Sequence, residues 1–246
     1  MSSNFGKNIK ISIFGESHSN GVGVVIDGIP AGLKIDEKKI LSLLTRRAPG
    51  NDITTTQRKE SDIPEILSGI FNGFTTGTPV CAVFKNSDTR SSDYEKLKSI
   101  ARPGHADYTG YLKYNGFNDY RGGGHFSGRL TLGLTFAGAV CKQFLYTKGI
   151  TIAAHIASVK NIHDNLFDNV KLTKDDLDKL LNKKFPVLND ETEKEMREVI
   201  EKARISSDSV GGIIECAAVG LPAGIGSPIF DNVESVLSSI VFSIPA

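Results

Sequence analysis

The chain has 246 residues, of which 39% are hydrophobic and 23% are charged, which supports a globular core and excludes an intrinsically disordered chain. Lysine and arginine total 29 and aspartate and glutamate total 28, so the net charge of +1 argues against a generally basic nucleic-acid binder. No apolar run approaches the ~18 residues that span a bilayer, and the N-terminus lacks the apolar stretch of a signal peptide. The sequence therefore predicts a cytoplasmic protein that binds neither nucleic acid nor membrane.

The three cysteines, Cys81, Cys141 and Cys216, are odd in number and far apart. This pattern predicts small buried apolar side chains in a reducing compartment rather than disulfides.

The first hundred residues predict three strands and one helix. Apolar residues dominate 9–13, 22–27 and 79–84, which predicts strands. Asp36 is a good N-cap, so a helix is expected to begin there and to end near Arg47, before a Pro-Gly pair.

The second half predicts a long helix, a strand and a charged excursion. Apolar residues recur at helical spacing over about 128–146, after three consecutive glycines, and an apolar strand follows at 150–159. Residues 160–204 carry 10 Lys and Arg and 11 Asp and Glu, which predicts a solvated helical excursion. Within it, the spacing of Asp190 and Glu193 predicts a capping box.

A short internal repeat links the two ends of the chain. Residues 28–32 read GIPAG and residues 220–224 read GLPAG, each after an apolar strand and before a capped helix, the second beginning at Asp231. The shared context predicts a duplicated unit. Because the second copy stops in an apolar run at Ala246, the sequence is expected to be a fragment of a longer protein.

None of the five histidines belongs to an HExxH or CxxC arrangement, so no metal site is predicted. His155 lies in an apolar strand and is interpreted as a core residue, and His163 is interpreted as solvated. His18, His105 and His125 each lie in a polar turn near glycine. Since histidine titrates near neutral pH, these three are candidate proton donors or acceptors.

Four arginines could bind an anion together with the glycine array at 122–124. Arg46 and Arg47 end the first predicted helix, and Arg102 and Arg129 lie before and after the array. They are interpreted either as helix-terminal and surface charges or as an anion site, because guanidinium groups bind phosphate and carboxylate in a bidentate manner. The array matches neither a Walker loop nor a Rossmann fingerprint.

Six short motifs occur in order along the chain. They are Gly15-Glu16-Ser17-His18, Arg46-Arg47-x-Pro49-Gly50, Ser68-Gly69, Thr76-Gly77-Thr78-Pro79, Arg102-Pro103-Gly104-His105-Ala106-Asp107 and Arg121-Gly122-Gly123-Gly124. Together they closely resemble the chorismate synthase family, from about residue 5 to residue 246. The family chain is longer, so the resemblance covers its first two-thirds.

The resemblance implies an α+β fold with helices sandwiched between antiparallel β-sheets and pseudo-twofold duplicated halves, the second incomplete here. Residues 1–246 would form a single, C-terminally truncated domain of a homotetramer. The implied activity is that of a carbon–oxygen lyase of the shikimate pathway, in aromatic amino acid biosynthesis. The enzyme removes phosphate from 5-enolpyruvylshikimate-3-phosphate by anti 1,4-elimination to give chorismate. It is a flavoprotein that requires reduced FMN (FMNH2), for which NADPH is a candidate reductant.

The resemblance also assigns residues. His18 matches the family histidine thought to protonate the departing phosphate, and His105 matches the histidine near N1 of the reduced flavin. The substrate-binding positions are Ser17, Arg47, Arg102, Ser127 and Arg129. The flavin-contacting stretch falls on His125, Phe126 and Ser127.

Two departures from the family pattern affect these assignments. Many members read Arg-Ser-Ser-Ala-Arg where residues 125–129 read His-Phe-Ser-Gly-Arg, which changes the charge and shape of the flavin contact. Many also have arginine at Ala48 and Ile53, positions tied to a nicotinamide-phosphate contact. The family's catalytic aspartate and most of the remaining flavin-binding surface are expected beyond residue 246.

Two other functions are therefore open. One is an inactive fragment that only binds anionic ligands. The other is a kinase-like or other nucleotide-binding enzyme that uses the glycine array, although no lysine follows the array at the P-loop position.

Overall fold

The computed structural model of the chain describes residues 3–49, 60–87 and 100–245. Two compact units divide the chain. The first contains residues 1–50, 57–141 and 226–246, and the second contains residues 51–56 and 142–225. The candidate site residues all belong to the first unit.

The first unit is built on a five-stranded sheet in which every neighbouring pair is antiparallel. Its strands, in spatial order, are β1 (Asn4–Phe5), β2 (Lys10–Gly15), β3 (Gly21–Asp27), β7 (Val80–Lys85) and β4 (Glu65–Ser68). A small hairpin of β5 (Ile70–Phe71) and β6 (Phe74–Thr75) precedes β7. The three predicted strands are confirmed to within two residues.

The core of this sheet lies along β3 and β7. Their register pairs Val22 with Phe84, Val24 with Ala82 and Ile26 with Val80, and all six side chains are buried. Because alternate residues share a face, these pairs form one continuous apolar surface.

In the described part of the chain, four helices accompany the sheet. The first unit contains α1 (Glu37–Arg47), α2 (Asp107–Lys113), the start of α3 (Thr131–Thr147) and α6 (Val233–Val241). Phe136 of α3 packs edge-to-face on Phe84, with ring centroids 5.9 Å apart. The predicted cap of α1 is confirmed, since the Asp36 side chain accepts hydrogen bonds from two backbone N–H groups of the first turn.

The second unit is a three-stranded antiparallel sheet with two helices against it. The strand order is β10 (Gly212–Val219), β8 (Thr151–Val159) and β9 (Ile162–His163). Helices α4 (Lys174–Leu181) and α5 (Asp190–Ile205) form much of the charged segment 160–204. That segment is not simply a solvated excursion, because Leu177 and Met196 on its helices are fully buried in clusters with β8 residues.

Two predicted helix caps were wrong by one residue. The N-cap of α5 is Asn189, not Asp190, and the N-cap of α6 is Asn232, not Asp231. In both helices the asparagine oxygen accepts from a backbone N–H of the first turn, so an amide outcompetes the neighbouring carboxylate for the capping position.

The repeated turns share a local conformation. Gly28 and Gly220 have φ of 91° and 83°. A Cβ on Gly28 would lie 2.1 Å from the Asn8 carbonyl oxygen, and one on Gly220 would lie 2.2 Å from the Gly149 carbonyl oxygen. Both turns therefore need glycine for the same two reasons, which supports the predicted repeat.

The cysteines are less buried than predicted. Cys81 and Cys141 are half-buried, Cys216 on the edge strand β10 is exposed, and all three are free thiols. Burial raises the pKa of the Cys141 thiol.

No helix within residues 3–49, 60–87 and 100–245 combines the length and apolarity that a bilayer crossing requires.

Candidate active site

The candidate site is built around the glycine array, residues 122–124. Gly122, Gly123 and Gly124 have φ of 58°, 84° and 53°, so all three occupy the region that only glycine enters without strain. A Cβ on Gly122 would lie 2.1 Å from Nδ1 of His18, and one on Gly123 would lie 2.7 Å from Nε2 of His105. The array is therefore glycine because two imidazole rings lie directly on its backbone.

The loop between β2 and β3 holds His18 in place. Ser17 and His18 are buried, with 1% and 8% of their surfaces exposed, and the Ser17 N–H donates to the Gly124 carbonyl at 3.1 Å. The Ser17 Oγ lies 3.3 Å from Nδ1 of His18. The Asn86 amide donates to the carbonyls of Glu16 and Ser19 at 3.0 and 2.8 Å, which fixes the loop from the opposite side.

Arg102, His105 and Asp107 form a compact charged group. Nε and Nη2 of Arg102 donate to the two oxygens of Asp107 at 2.8 and 2.9 Å, and Nδ1 of His105 lies 2.7 Å from Asp107. Hydrogen bonds from Arg102 outweigh partial burial and lower the pKa of the Asp107 carboxyl to about 2. An ionised Asp107 can only accept, so it fixes a proton on Nδ1 of His105 and turns Nε2 toward Gly123.

Arg47 and Arg129 meet at one carboxylate. Nη1 of Arg47 donates to Oδ2 of Asp62 at 3.1 Å, and Nη1 of Arg129 donates to Oδ1 of Asp62. Nε of Arg129 donates to the Asn86 side chain at 3.0 Å, and Nη2 lies 3.8 Å from Glu60. The side chain of Arg129 is only 3% exposed, whereas that of Arg47 is 20% exposed.

Residues 125–127 make internal contacts. Nδ1 of His125 donates to the Gly15 carbonyl at 2.8 Å, and Nε2 lies 2.9 Å from the hydroxyl of Ser3. The ring of Phe126 packs edge-to-face with Tyr114, with centroids 6.0 Å apart. The Ser127 Oγ accepts from the backbone N–H of Arg129 at 3.2 Å. Their flavin-contacting and substrate-binding roles remain predictions.

Glu16 and Asp119 form a carboxyl pair beside the array, and the sequence analysis did not identify it. Arg121 donates through Nε and Nη2 to the oxygens of Asp119 at 2.8 and 2.7 Å. Burial and the neighbouring Asp119 raise the pKa of Glu16, and hydrogen bonding to Arg121 lowers the pKa of Asp119. The two carboxyl groups therefore differ in proton affinity because of their surroundings.

The fold thus divides the assigned residues between two clusters. Ser17, His18, Arg102 and His105 gather on the glycine array, and Arg47 and Arg129 gather around Asp62. Asp62 was not anticipated, because its partners are distant in sequence and no local pattern marks it. Ala48 is buried at the C-cap of α1, and Ile53 lies outside the described residues. Within the described ranges, no group of three or more His, Cys, Asp or Glu side chains is arranged to hold a metal ion.

Comparison with known proteins identifies the family. The sequence model of the family described as chorismate synthase matches residues 9–246. The chain is 44% identical over 252 residues to the chorismate synthase of Dehalococcoides mccartyi, covering 100% of this chain and 66% of that protein. It is 47% identical over 244 residues to the chorismate synthase of Pyrococcus abyssi, covering 98% of this chain and 65% of that protein.

A solved structure gives the same result for the fold. A crystal structure described as chorismate synthase superimposes with a TM-score of 0.73 at 28% identity, over 98% of this chain and 67% of that chain. The α+β fold class is confirmed. The chain spans about two-thirds of the length of the curated relatives that it matches. On the match over residues 9–246 and these identities, the chain belongs to the chorismate synthase family.

Proposed function

We propose that this chain forms the histidine and arginine part of a chorismate synthase active site. The reaction is the anti 1,4-elimination of phosphate from 5-enolpyruvylshikimate-3-phosphate, which gives chorismate. The observation that carries the proposal is the placement of His18 and His105 on consecutive glycines of one array. Two proton-handling side chains from distant parts of the sequence thus meet at one surface.

His18 is assigned to the departing phosphate. Phosphate accumulates negative charge as its bond to the ring breaks, so a proton donor beside it stabilises the transition state more than the ground state. The backbone contact of Ser17 with Gly124 holds the His18 loop in place before substrate binds. Such prior ordering lowers the cost of reaching the reactive geometry.

The arginines are assigned to the anionic groups of the substrate. The substrate carries two carboxylates and one phosphate, and charge-assisted bonds from guanidinium groups are the strongest that side chains offer to oxyanions. Arg47 and Arg102 retain partly exposed side chains, at 20% and 34%. Arg129 is buried, so substrate contact by Arg129 requires that its internal partners give way.

The residues around His105 fit reduced FMN by charge. Arg102 and His105 lie side by side, with Nη2 of Arg102 within 3.4 Å of both ring nitrogens, and both side chains are partly exposed. The Arg102 guanidinium supplies the positive charge of this group and suits the electron-rich ring of a reduced flavin. When bound, the flavin supplies electron density to the substrate's allylic system as phosphate departs. In this chain, Arg102 and His105 would hold and orient that ring, with NADPH as a candidate reductant for it.

An anaerobic assay tests the proposal. The 246-residue chain is mixed with reduced FMN and 5-enolpyruvylshikimate-3-phosphate, and phosphate release and chorismate absorbance are followed together. Equal rates of both products, with neither formed when FMN is omitted, are the expected result once the chain is extended to the length of its relatives. Binding of substrate without turnover, followed by turnover when the chain is extended to the length of its relatives, would assign the missing chemistry to the added segment. No turnover in either form favours an anion-binding protein instead.

The homotetramer and the cytoplasmic location implied by the family are also proposals. Light scattering of the purified chain tests the first, and fractionation of the source cells tests the second.

A further inference from the structure

Asp62 lies between the two arginines assigned to substrate anions. Its Oδ2 accepts from Arg47 and its Oδ1 accepts from Arg129, so one carboxylate bridges both guanidinium groups. The side chain is 2% exposed. A carboxylate or a phosphate of a ligand would present the same pair of oxygens to the same two donors.

The contacts of Asp62 differ from those of the other acids that pair with site arginines. Asp107 and Asp119 each pair with an arginine of their own turn, and each also accepts a backbone N–H from that arginine. Asp62 instead meets arginines that come from the end of α1 and from the turn before α3. Residues 60–64, to which it belongs, lie in no helix or strand.

The backbone at Asp62 is also strained. Its φ is 49°, in the left-handed region that residues other than glycine seldom occupy. Strain of this kind persists only while surrounding contacts maintain it. A strained residue outside regular structure gains backbone freedom when its side-chain contacts are exchanged for others.

The described side chains of this cluster pair positive with negative charge. Arg47 and Arg129 face Asp62 and the buried Glu60, which itself accepts hydrogen bonds from the N–H and hydroxyl of Ser87. Among the residues that the structure describes, two positive charges thus meet two negative charges. A substrate that carries several negative charges gains the full attraction of these arginines only when a protein carboxylate withdraws.

We propose that Asp62 is an internal competitor for the substrate: its carboxylate occupies the oxyanion position between Arg47 and Arg129, and an anionic group of the substrate displaces it on binding. The identity of that substrate rests on the proposed function. The displacement itself rests on the geometry of the three side chains and applies to any oxyanion that fits between them.

Asp62→Asn tests the displacement, because asparagine keeps the shape of the side chain and removes its charge. Inorganic phosphate and malonate are titrated separately by calorimetry at fixed ionic strength, which distinguishes a phosphate site from a carboxylate site. We expect the dissociation constant for at least one of them to fall about tenfold, since a competing charged partner has been removed. Glu65→Gln is the matched control: it makes the same change in net charge at an exposed pair with Lys85, and its affinities should stay at the wild-type values.

Unchanged or weaker binding of both anions by Asp62→Asn overturns the proposal and makes Asp62 a residue that orients the arginines. A gain equal to that of Glu65→Gln also overturns it, because net charge alone would then explain the effect.

If Asp62→Asn does not fold, the wild type supplies the test through the ¹³C shift of the Asp62 carboxyl group. Saturating phosphate or malonate should move that shift, and constancy with both refutes displacement. A gain for phosphate or malonate in a chain that never binds 5-enolpyruvylshikimate-3-phosphate keeps the displacement and rejects the proposed substrate.

Discussion

Two histidine-containing regions of this molecule use the same side chain in different ways. In the first unit, His105 places one ring nitrogen on Asp107, and its side chain is 27% exposed. In the second unit, His155 is fully buried, with Nδ1 3.2 Å from Asp164 and Nε2 2.8 Å from Glu215. An acid lies beside the ring in both regions. The difference is that one ring nitrogen of His105 contacts a carboxylate, whereas both ring nitrogens of His155 do.

The carboxylates around His155 also bind backbone groups. Asp164 accepts from the N–H groups of Leu188 and Asn189, and Glu215 accepts from the N–H of Phe167. Burial raises the pKa of both acids, but hydrogen bonds outweigh it and the net pKa of each is lowered. His155 therefore joins the strands to the loop that precedes α5, whereas His18 and His105 lie against the backbone of the glycine array.

His18→Ala should have the largest effect. In the complete enzyme, we expect turnover in the anaerobic assay to fall about 10²–10⁴-fold, the range for removal of a general acid, with little change in the thermal midpoint. His163→Ala is the matched control, because His163 is exposed on β9. Turnover near that of the wild type would falsify the role of His18. The histidines on the glycine array would then not differ from His155 by a role in catalysis.

His155→Ala should act on stability instead. It leaves the buried Asp164 and the partly exposed Glu215 without their shared partner, so the free energy of unfolding should fall by about 3–5 kcal/mol. Urea denaturation measures this change, again with His163→Ala as the control. A folded variant of unchanged stability that has lost affinity for phosphate would reverse the assignment of the two regions.

Arg47→Ala should weaken binding of 5-enolpyruvylshikimate-3-phosphate by about 1.5–3 kcal/mol, the scale of a charge-assisted hydrogen bond. Calorimetric titration of the complete enzyme measures the loss. Arg204→Ala on α5 removes an exposed arginine that pairs with Glu201, and it should leave the affinity unchanged. Equal affinity in both variants would take Arg47 out of the site.

The pH dependence of the Arg102–Asp107 pair should be the smallest effect. The pKa of Asp107 is lowered from 3.8 to about 2, so its contribution to stability is present above pH ~3.8 and is lost as the pH falls through about 2. Asp107→Asn should therefore be less stable than the wild type at pH 6, by on the order of 1 kcal/mol, and the difference should shrink toward pH 2. A difference that is independent of pH would show that shape, not charge, is lost.

Much of the fold could be predicted because its signals are local. The apolar run of β3 and the Asp36 cap act through neighbours in sequence. The N-caps of α5 and α6 were misplaced because an asparagine and an aspartate are adjacent at each helix start. Either residue type can cap a helix, and the path of the backbone decides which one does.

Residues of the candidate site could be predicted only where a reactive residue type lies in a polar turn near glycine. His18, His105 and Arg102 met this condition. Asp62 did not, because an isolated aspartate in a coil looks the same whether it faces solvent or two distant arginines. Charge pairing between remote segments leaves no periodicity in a sequence, and only the fold reveals it.

The hydrogen bond from Ser17 to Gly124 has a consequence for how the molecule assembles. It closes a very long loop, and its acceptor belongs to three glycines that lose more backbone freedom on ordering than other residues do. The hairpin of β2 and β3, in contrast, needs only neighbouring residues. We therefore expect the β2–β3 hairpin to form early during refolding and the contact between Ser17 and the glycine array to form late, so that the loop bearing His18 becomes ordered after the strands on either side of it.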